Sequence, residues 1–312
     1  MSKSTLPSPE SLLKRLEWTV LRRLDGLLQG DYRTLFRGHG LDLADLREYQ
    51  YGDDLRRIDW NVTARLQTPY VREYHEDREI TAWFLLDLSA SVDFGSRRVK
   101  KRAVSEGFVA VLARLLTRHG NRVGALLYGN EVDGVIPARG GRRHVLRLLH
   151  AMQTRKAAPH PSATNLRDLL EAAAHMVRRR SLVFVLSDFI SEPGWEDLLG
   201  YLAQRHEVVA IRLHDPLEAE LPDLGLLPFR DAETGETVLV DTHDKGFRKR
   251  FAAASRKRER RLREAFSAAG VDCLELSTGD DLVDAIHRFA QLRKRRSRTG
   301  SSNNLSLQGI PA

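Results

Sequence analysis

The chain has 312 residues, 42% hydrophobic and 29% charged, a composition typical of a protein with one sizeable core. Its formal net charge is +8 and its single cysteine is Cys273, so an internal disulfide and a thiolate-rich metal cluster are both excluded. No apolar run reaches the roughly 20 residues that span a bilayer, and the first residues contain no apolar signal core. We therefore expect a cytoplasmic protein.

The first 79 residues differ in pattern from the rest of the chain. Leucines and valines at helical spacing predict a helix over residues 10–29, ended by Gly30. Residues 31–79 lack a clear periodicity and are dense in Arg, Asp, Tyr and Trp. We therefore treat residues 1–79 as an N-terminal subdomain, made of a helix and an irregular segment.

From residue 80 onward, strand-like and helix-like segments alternate. The apolar runs 81–86 and 181–186 are typical of strands buried on both faces, and Gly129-Asn130 indicates a hairpin turn. This alternation predicts an α/β fold with a doubly wound, mostly parallel sheet over residues 80–296. An insertion is expected near 216–243, and the Ser- and Asn-rich residues 297–312 are expected to be disordered. Further strands are predicted over 122–128, 131–136, 208–213 and 271–276, and helices over 142–152, 166–178, 195–204, 246–269 and 280–293, with one more ending near Gly120.

Oxygen-bearing side chains follow two of the predicted strands. The first strand leads into an Asp-x-Ser-x-Ser motif, with Asp87, Ser89 and Ser91 on alternate residues. The second ends at Asp188, and Thr164 lies on the loop before the intervening helix. Ligands of open α/β sheets bind beyond the carboxyl ends of the strands, and Mg²⁺ prefers oxygen donors. The residues therefore predict a divalent metal site, the alternative being that each is an ordinary helix cap.

The same positions resemble the metal-ion-dependent adhesion site of von Willebrand factor type A domains. The resemblance implies that Ser89 and Ser91 bind the cation directly, and that Thr164 binds it directly or through water. It implies that Asp87 and Asp188 act mostly through water, and that a vacant coordination position is offered to an acidic side chain of a partner. Mg²⁺ is the expected cation, with Mn²⁺ or Ca²⁺ as alternatives.

The segment before the first strand resembles a more specific signature. Residues 40–60, GLDLADLREYQYGDDLRRIDW, with Ala64-Arg65 and residues 71–74, resemble the bacterial family called domain of unknown function 58. The resemblance covers about residues 30–290. It implies a von Willebrand factor type A-like domain with an extra N-terminal subdomain, and a chaperone-like adaptor role beside MoxR-type AAA+ ATPases. The residues alone leave two interpretations of the segment: a clamp on the edge of the sheet, or a docking surface for a partner.

We expect a non-enzymatic, Mg²⁺-dependent protein interaction module that works with an AAA+ ATPase and an acidic client. The chain has no Gly-x-x-x-x-Gly-Lys-Ser/Thr loop, so ATP hydrolysis would come from the partner. One alternative is a metal-dependent hydrolase, because bound Mg²⁺ can activate water, although no His-Glu-x-x-His or Gly-x-Ser-x-Gly motif supports it. The other is binding of nucleic acid or an anionic surface by the basic helix and tail, residues 248–263 and 293–296. Nucleic acid is the less favoured partner, since no aromatic residues interleave with those charges.

Overall fold

The computed structural model describes residues 8–21, 23–24, 45–51, 58–73, 80–96, 99–155, 164–230 and 237–299. The strands are β1 (Asp45–Glu48), β2 (Tyr70–Glu73), β3 (Thr81–Asp87), β4 (Arg122–Tyr128), β5 (Val132–Arg139), β6 (Leu182–Ser187), β7 (Glu207–His214), β8 (Leu226–Arg230), β9 (Thr237–Asp241) and β10 (Asp272–Ser277). The helices are α1 (Pro9–Leu16), α2 (Trp60–Leu66), α3 (Lys101–Arg118), α4 (Arg142–Thr154), α5 (Leu166–Met176), α6 (Glu196–Arg205), α7 (Pro216–Ala219), α8 (Lys245–Ala269) and α9 (Leu282–Thr299).

A six-stranded sheet forms the centre of the molecule. Its order is β10–β7–β6–β3–β4–β5, and every pair is parallel except β4 with β5. The chain builds β4 and β5 on one side of β3 and then returns to build β6, β7 and β10 on the other. The topological switch point therefore lies between β3 and β6, where open α/β sheets place their ligands. The predicted doubly wound, mostly parallel sheet is confirmed.

Helices cover both faces of this sheet. Helices α1, α3, α4 and α9 pack on one face, where the rings of Phe84 and Phe184 stack with centroids 5.3 Å apart. Helices α5, α6 and α8 pack on the other, where Trp195 and Phe266 contact Phe189. Because both faces are covered, β3 and β6 are almost wholly apolar and buried, as the two apolar runs predicted.

The N-terminal helix is part of this core. Its buried side chains include Leu12, Leu13 and Leu16, and a π-helical turn, Glu17–Leu21, continues from it. Glu17 accepts a hydrogen bond from the Arg114 guanidinium of α3 at 2.5 Å. The helix predicted over 10–29 is confirmed in its described part, whereas residues 25–30 lie outside the described residues. The domain boundary at 79/80 stays a prediction, but the core of the sheet domain includes residues before it.

The signature segment forms a small sheet of its own. Strand β1 pairs antiparallel with β2, and Ile58 bridges to Val71. Asp59 is 7% exposed, and its Oδ1 accepts the backbone N–H of Val62 at 3.3 Å, which caps the first turn of α2. The edge strands of the large sheet are β5 and β10. Within the described residues, the segment therefore does not pair with either edge, as a clamp built by strand addition would. Residues 40–44, 52–57 and 74 of the signature lie outside the described residues.

The insertion and the C-terminal helices complete the chain. The insertion begins with α7 and continues into the β8–β9 hairpin. Helix α8 ends at Gly270, which has a φ of 66° in the left-handed region that glycine adopts without strain. Helix α9 runs to Thr299, so residues 297–299, predicted to be disordered, are helical; residues 300–312 lie outside the described part. No described helix has both the length and the apolar character needed to cross a membrane.

Candidate metal site

The two predicted carboxylates meet at the switch point of the sheet. Asp87 is the last residue of β3, and Asp188 directly follows β6. The parallel register pairs Leu86 with Leu186, so the two strands end side by side. Asp87 is 0% exposed and Asp188 is 2% exposed. The chain therefore brings two acidic groups together in a buried position, which requires compensating partners.

Asp87 receives hydrogen bonds on both of its oxygens. The Ser89 N–H donates to Oδ1 at 3.0 Å, which closes an Asx turn at the end of the strand. The Ser187 hydroxyl donates to Oδ2 at 2.6 Å. Burial, followed by the charge of Asp188, raises the pKa of Asp87 to about 6, and the bonds from Ser187 and Ser89 only partly oppose this rise. Asp87 is therefore held in one orientation and lacks a full counter-charge.

The two serines of the motif present a pair of hydroxyls. Ser89 and Ser91 are 5% and 7% exposed, and their Oγ atoms lie 3.1 Å apart. Two adjacent ligands on an octahedral Mg²⁺, with bonds of about 2.1 Å, lie about 3.0 Å from each other. The spacing of the hydroxyls therefore fits one edge of such a coordination sphere.

Thr164 is held against the loop that carries Asp188. Its carbonyl oxygen accepts the Glu192 N–H at 3.0 Å and the Ser191 hydroxyl at 2.9 Å. The next residue, Asn165, donates its N–H to the Tyr128 hydroxyl at the end of β4, at 3.0 Å. Thr164 is 1% exposed. The loop is thus fixed between the carboxyl ends of β4 and β6, and the role of the Thr164 hydroxyl as a ligand stays a prediction.

Lys101 is a buried cation at this site that the sequence did not indicate. Its side chain is 1% exposed, and its Nζ donates to Asp188 Oδ2 at 2.7 Å and to Glu218 Oε1 at 2.6 Å. Burial by itself lowers the pKa of Lys101, but the charges of Asp188 and Glu218 outweigh it and raise the pKa above its ordinary value. The lysine is therefore charged and neutralises part of the acidic pair.

Two arginines fix the loop that follows β3. Arg155 donates to the carbonyl oxygen of Leu88 at 3.1 Å and forms a bidentate pair with Asp133. Arg102 donates to the carbonyl oxygen of Met152 at 2.5 Å, and its guanidinium lies 3.6 Å from Asp93. These contacts link the end of α4 to the loop that carries the two serines. They are the second layer of support that metal ligands commonly need.

The donor set fits a hard divalent cation. The structure places Asp87, Ser89 and Ser91 at the end of β3 and Asp188 at the adjacent end of β6, and it fixes the Thr164 loop against the residues that follow Asp188. Among the described residues, no three His, Cys, Asp or Glu side chains come together as a metal site, so hydroxyls would complete the coordination. The one feature that departs from a simple oxygen cage is the ammonium of Lys101 on Asp188.

The raised pKa of Asp87 predicts a pH effect on the metal-free protein. The pKa in the folded chain lies above its value of 3.8 in an unfolded chain, so protonated Asp87 favours folding. This contribution is complete below about pH 4 and is lost as the pH rises through about 6. In EDTA, the free energy of unfolding of the wild type should fall by about 2–3 kcal/mol relative to Asp87→Asn between pH 4 and pH 7. Urea unfolding curves measure the difference, and two parallel pH profiles would contradict it.

The sheet order and the switch point define a doubly wound, mostly parallel α/β protein. A family model described as "Protein of unknown function DUF58" matches residues 45–261. "Uncharacterized protein Rv1480" of Mycobacterium tuberculosis is 37% identical over 294 residues, which cover 94% of this chain and 92% of the relative. The chain belongs to the DUF58 family.

Solved structures resemble the chain more distantly. An aerotolerance-related membrane protein from Bacteroides fragilis has a TM-score of 0.43 at 12% sequence identity. The match covers 69% of this chain and 99% of the Bacteroides chain. Manganese-loaded TRAP protein of Plasmodium vivax has a TM-score of 0.33 at 15% sequence identity. The match covers 43% of this chain and 57% of the TRAP chain. Because both TM-scores are low, the fold class rests on the sheet order itself.

Proposed function

We propose that this protein is a non-enzymatic, divalent-cation-dependent interaction module that acts as an adaptor of a MoxR-type AAA+ ATPase. The observation that carries the proposal is the buried Ser89–Ser91 hydroxyl pair beside Asp87 and Asp188 at the switch point. Mg²⁺ bound there keeps coordination positions that a carboxylate of a partner or client can fill. An ATP-driven partner works where ATP is abundant, which places the proposed complex in the cytoplasm.

The acidic groups of the site favour binding over hydrolysis. The hydrogen bonds from Ser89 and Ser187 to Asp87, and from Ile190 and Lys101 to Asp188, hold both carboxylates in fixed orientations. Hydrolytic sites with two metal ions need a cluster of carboxylates and histidines. No group of three such side chains occurs among the described residues, so the arrangement supports cation capture better than a metal-dependent hydrolase.

The test is a pull-down with identification of the captured ATPase. We expect wild-type protein with Mg²⁺ to capture a MoxR-type ATPase, identified by mass spectrometry and then confirmed with the purified ATPase. Wild type in EDTA, and Asp87→Ala with or without Mg²⁺, should capture at least about tenfold less, because the cation links the two proteins. Asp197→Ala, which removes an exposed carboxylate on α6, is the matched control and should behave as wild type.

Two results would redirect the proposal. Equal capture of the ATPase in all conditions would mean that docking does not use the cation. The second candidate function is binding to an anionic surface, favoured by the exposed basic side chains along α8: Lys249, Arg250, Arg256, Lys257, Arg260 and Arg261. Capture of nucleic acid that is lost in high salt and does not need Mg²⁺ would favour that candidate.

A further inference from the structure

Lys101 connects the candidate metal site to the segment that follows β7. One ammonium bonds to Asp188 at the end of β6 and to Glu218 on α7, at 2.7 and 2.6 Å. Glu218 uses its other oxygen, Oε2, to accept the N–H of Asp215 at 3.0 Å, which completes the capping box of α7. Asp215 also accepts the N–H of Ser96, from the loop after the motif, at 2.9 Å. The site and α7 are therefore joined by two separate polar contacts.

The ammonium lies where it opposes a divalent cation. One oxygen of Asp188 accepts a hydrogen bond from the Ile190 N–H and the other accepts one from Lys101. A divalent cation that approaches Asp188 is therefore repelled by the ammonium that already contacts this carboxylate. Like charges a few ångströms apart in a buried site repel strongly. Glu218 is only partly buried, with 18% of its side chain exposed, and it offers the ammonium a second carboxylate.

We propose that Lys101 is an internal competitor that sets the affinity of the site for divalent cations. When a cation binds beside Asp188, the Lys101 ammonium gives up its contact with Asp188 and pairs with Glu218 alone. The inference rests on the metal site proposed above and deepens it by naming its regulation. Glu218 is also part of the capping box of α7. The change of partner of Lys101 therefore links cation binding at the site to α7, where the insertion begins. The hairpin that follows presents Leu226 and Leu239, which are 59% and 65% exposed.

The test uses Mn²⁺ alone as the probe, with free Mn²⁺ measured by electron paramagnetic resonance. Lys101→Met should bind Mn²⁺ about tenfold more tightly than wild type, because the competing charge is gone. Glu218→Gln should bind it about tenfold more weakly, because Lys101 is then left with Asp188 as its carboxylate. Lys100→Met and Glu220→Gln change the same charges at exposed neighbouring positions and should match wild type.

The opposite directions separate competition from simple loosening of the site, which would weaken binding in both variants. Unchanged or weaker binding by Lys101→Met would overturn the role of Lys101. If that variant fails to fold, the double variant Lys101→Met with Glu218→Gln decides: it should bind more tightly than Glu218→Gln alone, and equal binding would overturn the inference. Absence of Mn²⁺ binding by wild type, or equal binding by Asp87→Ala, would overturn the metal site itself together with this inference.

Discussion

Replacing Ser89 and Ser91 together by alanine should reduce the affinity for Mn²⁺ at least about 100-fold, since loss of direct ligands costs more than the 10- to 100-fold typical of their supporting groups. Stability should change by about 1 kcal/mol or less. The two hydroxyls are hydrogen-bonded to each other, so their joint removal leaves neither unsatisfied. Asp87 loses the contact of the Ser89 side chain but keeps the bonds from the Ser89 N–H and the Ser187 hydroxyl. Mn²⁺ titration and thermal unfolding in EDTA measure the two effects.

The matched control is Ser105→Ala on α3. Ser105 is also buried, at 0% exposure, and its hydroxyl has no hydrogen-bond partner among the described residues, so its loss should neither destabilise the protein nor change metal binding. Wild-type Mn²⁺ affinity in the double serine variant would show that the cation binds elsewhere. A large loss of stability would show that the hydroxyls serve the fold.

Replacing Arg155 by methionine should destabilise the protein by about 2 kcal/mol and weaken Mn²⁺ binding about tenfold. Methionine keeps much of the apolar stem but removes the donors to the Leu88 carbonyl and to Asp133. The Arg155 side chain is 9% exposed, so the carbonyl loses a partner that water does not easily replace. The loop that presents Ser89 and Ser91 then becomes less ordered, which lowers the affinity without removing a ligand.

Two further variants serve as controls for Arg155→Met. Arg143→Met removes an exposed guanidinium from the same helix, α4, and should match wild type in both measurements. Asp133→Asn should have a smaller effect than Arg155→Met, because Asp133 is 39% exposed and Arg155 keeps its bond to Leu88. If Arg155→Met unfolds at the wild-type temperature and binds Mn²⁺ equally well, the guanidinium does not support the loop.

The sheet and the strand-end residues were predictable because their signals are local. A strand buried on both faces must be nearly all apolar, so β3 and β6 stood out against the helices between them. The side chains after those strands converge wherever the strands are parallel neighbours, which alternation of strands and helices already indicates. Asp87, Ser89, Ser91 and Asp188 followed from these two rules.

The polar support of the site was not predictable in the same way. Lys101 lies in a basic run with Lys100 and Arg102, where a solvated lysine is the ordinary interpretation. Its burial depends on Glu218, which is distant in sequence and becomes its neighbour only when β7 joins the sheet beside β6. Ser187 offered a weak signal, as a lone hydroxyl at the end of an apolar strand. Such pairings depend on tertiary contacts that no local pattern encodes.

The burial of α1 has a practical consequence for anyone who dissects this chain. A fragment that starts at residue 80 would retain every strand of the large sheet and every candidate ligand. It would nevertheless leave the surfaces of α3 and α4 that cover Leu12, Leu13 and Leu16 in contact with water. Exposed apolar faces of that kind promote self-association. Weak metal binding by such a fragment would therefore report a damaged scaffold, so metal binding has to be measured on the 312-residue chain with α1 included.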